Sequence, residues 1–354
     1  MNTKTLNIRS QDRNNVSKGV FDPNINLANC NFNLNNPISL KEPGLVGVRS
    51  GFFPMTYKHI DSTNDRFSIK FLPAQDSADS ACVFALFQIQ HGYYNSTTAV
   101  KTEINRLLGL LDSTMATSFD DNLGGVINQF SAETDAILSS NMTCSLGTGD
   151  NDKDHLIITL PDGVVLNAEA HRAGDNARVG ATDLVGGFQV LFGDTGAGTV
   201  ARGAVKGRSA NKVLGFGDTI SNPKTLGGND FVGSPAVPLR GASNAVQNVT
   251  SQFLASVLRT PYLYVRSSLA REAREMSKNG NPTDLLAKIP VTSNTYGSTI
   301  FYEPHDASSL YFKMGSGDIN NINITITDGD GIELDMEEGG DWELQLCFKG
   351  NFYN

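Results

Sequence analysis

Four cysteines in 354 residues, none in a CxxC pair, leave little material for a disulfide framework or a thiolate metal site. Cys30, Cys82, Cys144 and Cys347 lie far apart, and Cys82 and Cys347 fall inside apolar strand-like runs. Free thiols in a reducing compartment are the expectation. The five histidines, His59, His91, His155, His171 and His305, show neither HxH nor HxxxH spacing, and no serine sits in a GxSxG elbow. No apolar run approaches the length of a membrane span, and the N-terminus has no signal-peptide apolar core. The Asn-x-Ser/Thr sequons at Asn95, Asn141, Asn248 and Asn323 therefore carry little weight. The single tryptophan, Trp342, occupies an alternating strand position rather than a loop where it would stack on sugar. Tyr93 and Tyr94 are the best loop aromatics for a glycan-binding module, but they better suit the anchoring of the turn before the helix. Nothing here nominates a catalytic residue, a cofactor or a metal ligand, so the expectation is a protein without enzymatic chemistry.

Net charge is also missing on the positive side. The formal charge of -9 argues against a chain whose whole surface binds nucleic acid or anionic membrane. The distribution is uneven, however: Lys4, Arg9, Arg13 and Lys18 face only Asp12 in the first eighteen residues. With no helical period there, residues 1–24 read as a basic, flexible arm that can order on docking.

What the chain does have is strand periodicity. In the stretch from Ile319 to Lys349, Ile322, Ile324 and Ile326 alternate with Asn and Thr, and Trp342, Leu344, Leu346 and Phe348 alternate with Glu343, Gln345 and Cys347. A period of two marks two half-buried strands. Asp328-Gly329-Asp330-Gly331 between them supplies residues that tolerate a tight reversal, so the two strands are expected to pair as an antiparallel ribbon. Each of the seven apolar side chains contributes about 1.5 to 3 kcal/mol if fully covered. A lone ribbon cannot cover them, and a second sheet must.

Further strands are expected at 21–40, 45–57, 66–72, 81–89, 155–160, 163–166, 188–192, 262–269, 286–291, 299–302 and 310–314, with Pro161-Asp162-Gly163 turning a hairpin. Thr97 or Thr98 can cap a helix on Val100, Ile104, Leu107, Leu108 and Leu111. Helices are also conceivable at 243–258, on Val246, Val249, Phe253 and Val257, and at 268–277. The weakly patterned, glycine-rich stretch 112–241 is too long for a plain loop and reads as a partly β, projecting insertion. The expected fold is all-β: an antiparallel two-sheet jelly-roll sandwich, formed by residues 25–111, with the flanking helix 97–111, and by residues 242–354.

Several motifs imitate chemistry. Gly196-Ala-Gly198-Thr-Val-Ala201 follows a strand, but the segment after it has no apolar helical face, so it reads as a surface loop. Lys206-Gly207-Arg208-Ser209 lacks the P-loop spacing. Asp150, Asp152 and Asp154 begin like a calcium loop, yet His155 and Pro161 stand where Gly and Glu are needed.

Five ordered motifs carry a resemblance. They are Leu6-Asn-Ile8-Arg-Ser10-Gln-Asp12-Arg13-Asn; Gln88-Ile-Gln-His-Gly92-Tyr93 with the helix from Val100 to Leu108; Lys212-Val-Leu214-Gly215-Phe216; Tyr262-Leu-Tyr264-Val-Arg266-Ser267; and Asn320-Asn-Ile322 through Asp328, Gly331 and Asp341-Trp342. Their order resembles the single jelly-roll penton or minor capsid proteins of virophages, Polinton-like viruses and large nucleocytoplasmic DNA viruses. The long insertion is a departure from that pattern. The resemblance implies a structural virion protein, made in the host cytoplasm, that forms a homopentameric penton base or another minor shell or cement component. The implied partners are further copies of itself, the major capsid protein and other shell proteins, and a receptor or fibre through the insertion, with no specific nucleic acid and no membrane span. Lys4, Arg9, Arg13 and Lys18 would form the assembly arm.

Overall fold

The computed structural model describes residues 2–13, 26–73, 83–112, 125–128, 142–161, 165–166, 183–192, 209–216, 247–256, 260–270, 284–293, 295–305, 311–336 and 340–353. The chain opens with β1 (Asn2–Arg9), β2 (Asn29–Leu40) and β3 (Gly44–Pro54). It continues through β4 (Arg66–Pro73), β5 (Val83–Gln88), α1 (Thr97–Gly109), β6 (Gly125–Asn128), β7 (Thr143–Leu146), β8 (Leu156–Leu160), β9 (Val165–Leu166), β10 (Asp183–Leu191) and β11 (Gln247–Thr250). It closes with β12 (Tyr262–Arg266), β13 (Leu285–Pro290), β14 (Thr299–Tyr302), β15 (Phe312–Met314), β16 (Gly317–Thr327) and β17 (Glu343–Gly350). The protein is all-β with antiparallel pairing between these strands and one flanking helix. Two compact units result, Met1–Lys58 with Leu258–Asn354, and His59–Val257.

The first unit is a sandwich. One sheet runs β1-β17-β3-β14, with β15 also on β3; the other runs β13-β12-β16-β2. A single buried cluster fills the space between them. Ile322, Ile324, Ile326, Trp342, Leu344, Leu346 and Phe348 are each at most 1% exposed. The expected β16–β17 ribbon does not form. β16 pairs with β2 and β12 while β17 pairs with β1 and β3, so the two strands belong to opposite sheets. The Asp328–Gly331 reversal does occur: Gly331 takes φ 84°, the Asp328 carboxylate accepts from Asp330 N and Ile332 N, and Leu334 N donates back to Ile326 O. It leads, however, into a short return that buries Leu334 and Met336 at one end of the core, and only then into the other sheet. Alternation shows which side chains are buried; it does not say which strand lies next door.

Residues 2–13, assigned by composition to a flexible arm, form β1 and a single 3-10 turn, with β1 paired along its whole length to β17. Leu6 and Ile8 alternate inward against this core, and that apolar gain outweighs the polar composition.

The second unit has a five-stranded sheet, β6-β5-β4-β10-β9, a three-stranded sheet, β11-β8-β7, and α1 packed on β7, all around its own core. The boundaries thus differ from the sequence expectation. β4, β5 and α1 belong with the insertion rather than with the sandwich, since a run such as 83–89 fits any buried sheet. β8 and β9 lie in different sheets instead of forming a hairpin. Residues 247–250 are strand rather than helix: Val249 is buried while Asn248 and Thr250 are exposed, a period of two. The proposed helix 268–277 falls mostly outside the described residues.

Helix α1 is capped by Ser96, whose Oγ accepts from Ala99 N at 3.2 Å, one residue earlier than the threonines suggested by sequence. Val100, Ile104, Leu107 and Leu108 form its buried face.

Candidate assembly surfaces

The motif residues turn out to be joints. At the start of the first unit, Ser10 Oγ donates to Asp341 Oδ1 at 2.9 Å and accepts from Trp342 N at 3.1 Å. Ser10 N donates to Trp342 O at 3.0 Å, and Gln11 Nε2 donates to Asp341 Oδ2 at 2.6 Å. The N-terminal Ser-x-Asp-Arg motif and the C-terminal Asp-Trp motif, more than 300 residues apart, therefore lock together. Arg266 of the Tyr-Leu-Tyr-Val-Arg-Ser strand donates from Nε to Thr327 Oγ1 at 3.0 Å, just before the Asp328 turn.

In the second unit Gly92 bridges to Ile60, and Tyr93 packs on His59 with ring centroids 4.1 Å apart and the rings tilted by 49°. Tyr94 O–H donates to Gln90 O at 2.8 Å, and burial, then Glu103, push its phenol above the ordinary range. Both tyrosines thus hold the turn before α1. Glu103, 7% exposed, accepts from Gln90 N and takes Arg106 bidentately at 2.7 Å, which raises the Arg106 guanidinium further. Asn105 of the Ile-Asn helix exchanges two hydrogen bonds with the Cys144 backbone, tying α1 to β7. The Leu-Gly-Phe segment is a tight turn in which Gly215 has φ 76° and accepts from Phe253 N. A Cβ there would lie 2.1 Å from Phe253 O. Gly215→Ala is expected to cost at least about 2 kcal/mol in urea denaturation, combining left-handed strain with backbone overlap. Gly109→Ala, where an added Cβ meets nothing within 4 Å, is the matched control and should be neutral or slightly stabilising.

Of the predicted arm cations, Lys4 sits 4.6 Å from the centroid of the Phe352 ring, and Arg9 lies 3.6 Å from Glu343. Arg13 is 9% exposed and donates to Ser10 O, so it braces the Ser10 joint. Lys18 lies outside the described residues, as do the Gly196–Ala201 motif and the Lys206-Gly207-Arg208 part of the other. Asp150, Asp152 and Asp154 form the β7–β8 turn, where Asp152 Oδ1 accepts from Gly149 N. Among the described residues no group of three His, Cys, Asp or Glu is placed to hold a metal ion, and no helix is long and apolar enough to cross a membrane.

No protein-family model matches the chain, and no curated protein matches it. Solved structures do resemble it, among them the selenomethionine-labelled penton protein of mavirus, with a TM-score of 0.41 and 12% identity over 99% of each chain. The likeness is distant, and no residue role transfers across it.

Sequence reading missed two surface features. Phe52 of β3 and Phe301 of β14 are cross-strand neighbours, 46% and 53% exposed, with centroids 4.9 Å apart. A run of two aromatics, Phe52-Phe53, carries the hint: one points inward, so the other must point out. On the opposite sheet, Asn321 and Asn323 of β16 donate to Asn33 and Asn31 of β2, an uncharged amide ladder.

Cys30 and Cys144 are inert by position. Burial raises Cys30 to about 11, with Arg13 opposing and Asp341 adding, and raises Cys144 to about 12, opposed by Lys101. At pH 8 about one Cys30 in a thousand would be thiolate, so thiol–disulfide reagents should label Cys30 and Cys144 in the native protein orders of magnitude more slowly than in denaturant.

Proposed function

We propose that this chain is a structural component of an icosahedral double-stranded DNA virus shell, serving as the penton base. The observation that carries this reading is that the five motifs resembling penton and minor capsid proteins coincide with the joints of both units. Ser10–Asp341–Trp342, Gly92–Tyr93, Asn105, Gly215 and Arg266–Thr327 each fix one chain reversal or one packing contact. Residues spent on joints rather than on an open, convergent polar site suit a rigid building block. The exposed Phe52–Phe301 pair and the amide ladder supply faces on which copies and the major capsid protein can pack. Assembly is read as a homopentamer.

Electron microscopy of whole particles tests this directly: density for the chain is expected at the five-fold vertices. Density elsewhere in the shell would make it a minor or cement protein, and absence from particles would overturn the reading.

A further inference from the structure

The first unit is electrically polar along its strands. At one end the residues from Lys349 to Tyr353 gather cations: Lys349 lies 3.8 Å from the Tyr311 ring centroid, Lys4 4.6 Å from Phe352 and Lys41 5.3 Å from Tyr353. Register adds Lys313, because Lys349 and Lys313 both pair opposite Leu45, on either side of β3. Strand spacing sets these two about 10 Å apart across the sheet. The acids described at this end are Glu42 and Asp318. The other end carries the acids Asp12, Asp328, Asp330, Glu333, Asp335, Asp341 and Glu343 against the cations Arg9, Arg13, Lys58 and Arg266, so acids outnumber cations there. There Glu333 is held by Asn29 and Asp341 by Ser10 and Gln11, neutral donors that leave the negative charge in place. Lys58 binds Asp335 there at 3.1 Å.

We propose that the lysine end of the first unit is a docking surface for nucleic-acid backbone, read through phosphate and without regard to base sequence. The inference rests on the shell reading in one respect: rotation about a ring axis keeps every copy's lysine end on the same face, so a weak basic patch is multiplied by the number of copies. Three of the four ammoniums are already held over aromatic rings, which lowers the ordering cost of meeting phosphates. A lipid surface fits less well. Tyr353 is the one large aromatic or aliphatic side chain substantially exposed at this end among the described residues, which gives little to insert among acyl chains. The overall charge of -9 repels polyanions at long range, so attachment is confined to this end and is steeply weakened by salt.

The test uses the full chain and a fluorescent 30-base-pair duplex, read by anisotropy from about 50 to about 300 mM NaCl, with light scattering on the same samples. The variant K41E/K313E/K349E should bind at least about tenfold more weakly, and its log–log salt slope should be shallower by about one unit per lysine removed from each copy. K288E, a lysine stacked on Tyr262 in the other sheet, should bind like the wild type. A shuffled duplex should bind equally. Absence of binding by the wild type at 50 mM salt, equal loss in K288E, or vesicles of 30% phosphatidylserine competing better than DNA would each overturn the inference. A ring that ignores DNA sinks this inference and leaves the shell reading intact. A strict monomer whose DNA binding falls with the triple reversal does the opposite.

Discussion

Trp342→Ala is expected to destabilise the first unit by about 3–5 kcal/mol. The indole is 1% exposed and lies between Phe53, stacked at 6.2 Å, and Phe32, edge-on at 6.1 Å. Its Nε1 donates to Leu27 O at 2.8 Å, so truncation opens a cavity among aromatic rings and also orphans a buried carbonyl. The two losses separate: Trp342→Phe keeps a ring against Phe53 and gives up only the N–H, at a cost of about 1–3 kcal/mol. Since the chain has a single tryptophan, wild-type emission reports this unit alone, and the variants are followed by circular dichroism in urea. A loss below about 1 kcal/mol for the alanine variant would mean that the sheets close over the gap, and that the indole does not hold them apart.

The same side chain shows how much the sequence discloses. Period-two alternation placed Trp342, Leu344, Leu346 and Phe348 inside a sheet-on-sheet core, because burial is written in spacing. It could not reveal that β16 and β17 sit in opposite sheets. That depends on where the chain goes after Gly331, and the answer lies in Leu334 and Met336, two buried residues that break no pattern. Likewise β1 was hidden by composition. Thr3, Thr5, Asn7 and Arg9 face out along an edge strand, and two inward residues, Leu6 and Ile8, are too few to announce a strand. The division into two units was illegible for a different reason: β4 and β5 have the apolar content of any buried strand, and only long-range pairing with β10 and β6 assigns them. Of the assembly features, the motif joints were visible as residues but not as contacts. The lysine end was invisible, since Lys4, Lys41, Lys313 and Lys349 come from four separate segments brought together by register.

Removing the buried carboxylate of the second unit should cost nearly as much as removing the indole of the first. Asp65 is 0% exposed, and its Oδ2 accepts from Gln88 Nε2 and meets His91 Nε2, both at 2.8 Å. Gln88 is fully buried too, and the backbone N–H of Ile89 donates to Asp65 O at 2.8 Å. The carboxylate therefore pins the end of β5 and the Gly92 turn to the 59–65 loop, where Asp61 Oδ1 accepts from Thr63 N and the Asn64 amide donates to His59 O. Asp65→Ala strands the buried Gln88 amide and the part-buried His91 ring without their shared acceptor, and about 3–5 kcal/mol of stability should be lost. Asp65→Asn keeps a carbonyl oxygen and loses the charge, so its cost should be about 1–2 kcal/mol. His91→Ala alone frees one lone pair of Asp65, and because both substitutions cut the same tie, the double variant should fall short of the summed losses by at least about 1 kcal/mol. Each unit has its own contiguous core, so these variants should shift the circular dichroism transition to lower urea while Trp342 emission stays near its wild-type midpoint. Additive losses would show that Asp65 and His91 act separately, and a matching fall in tryptophan emission would show that the two cores unfold as one.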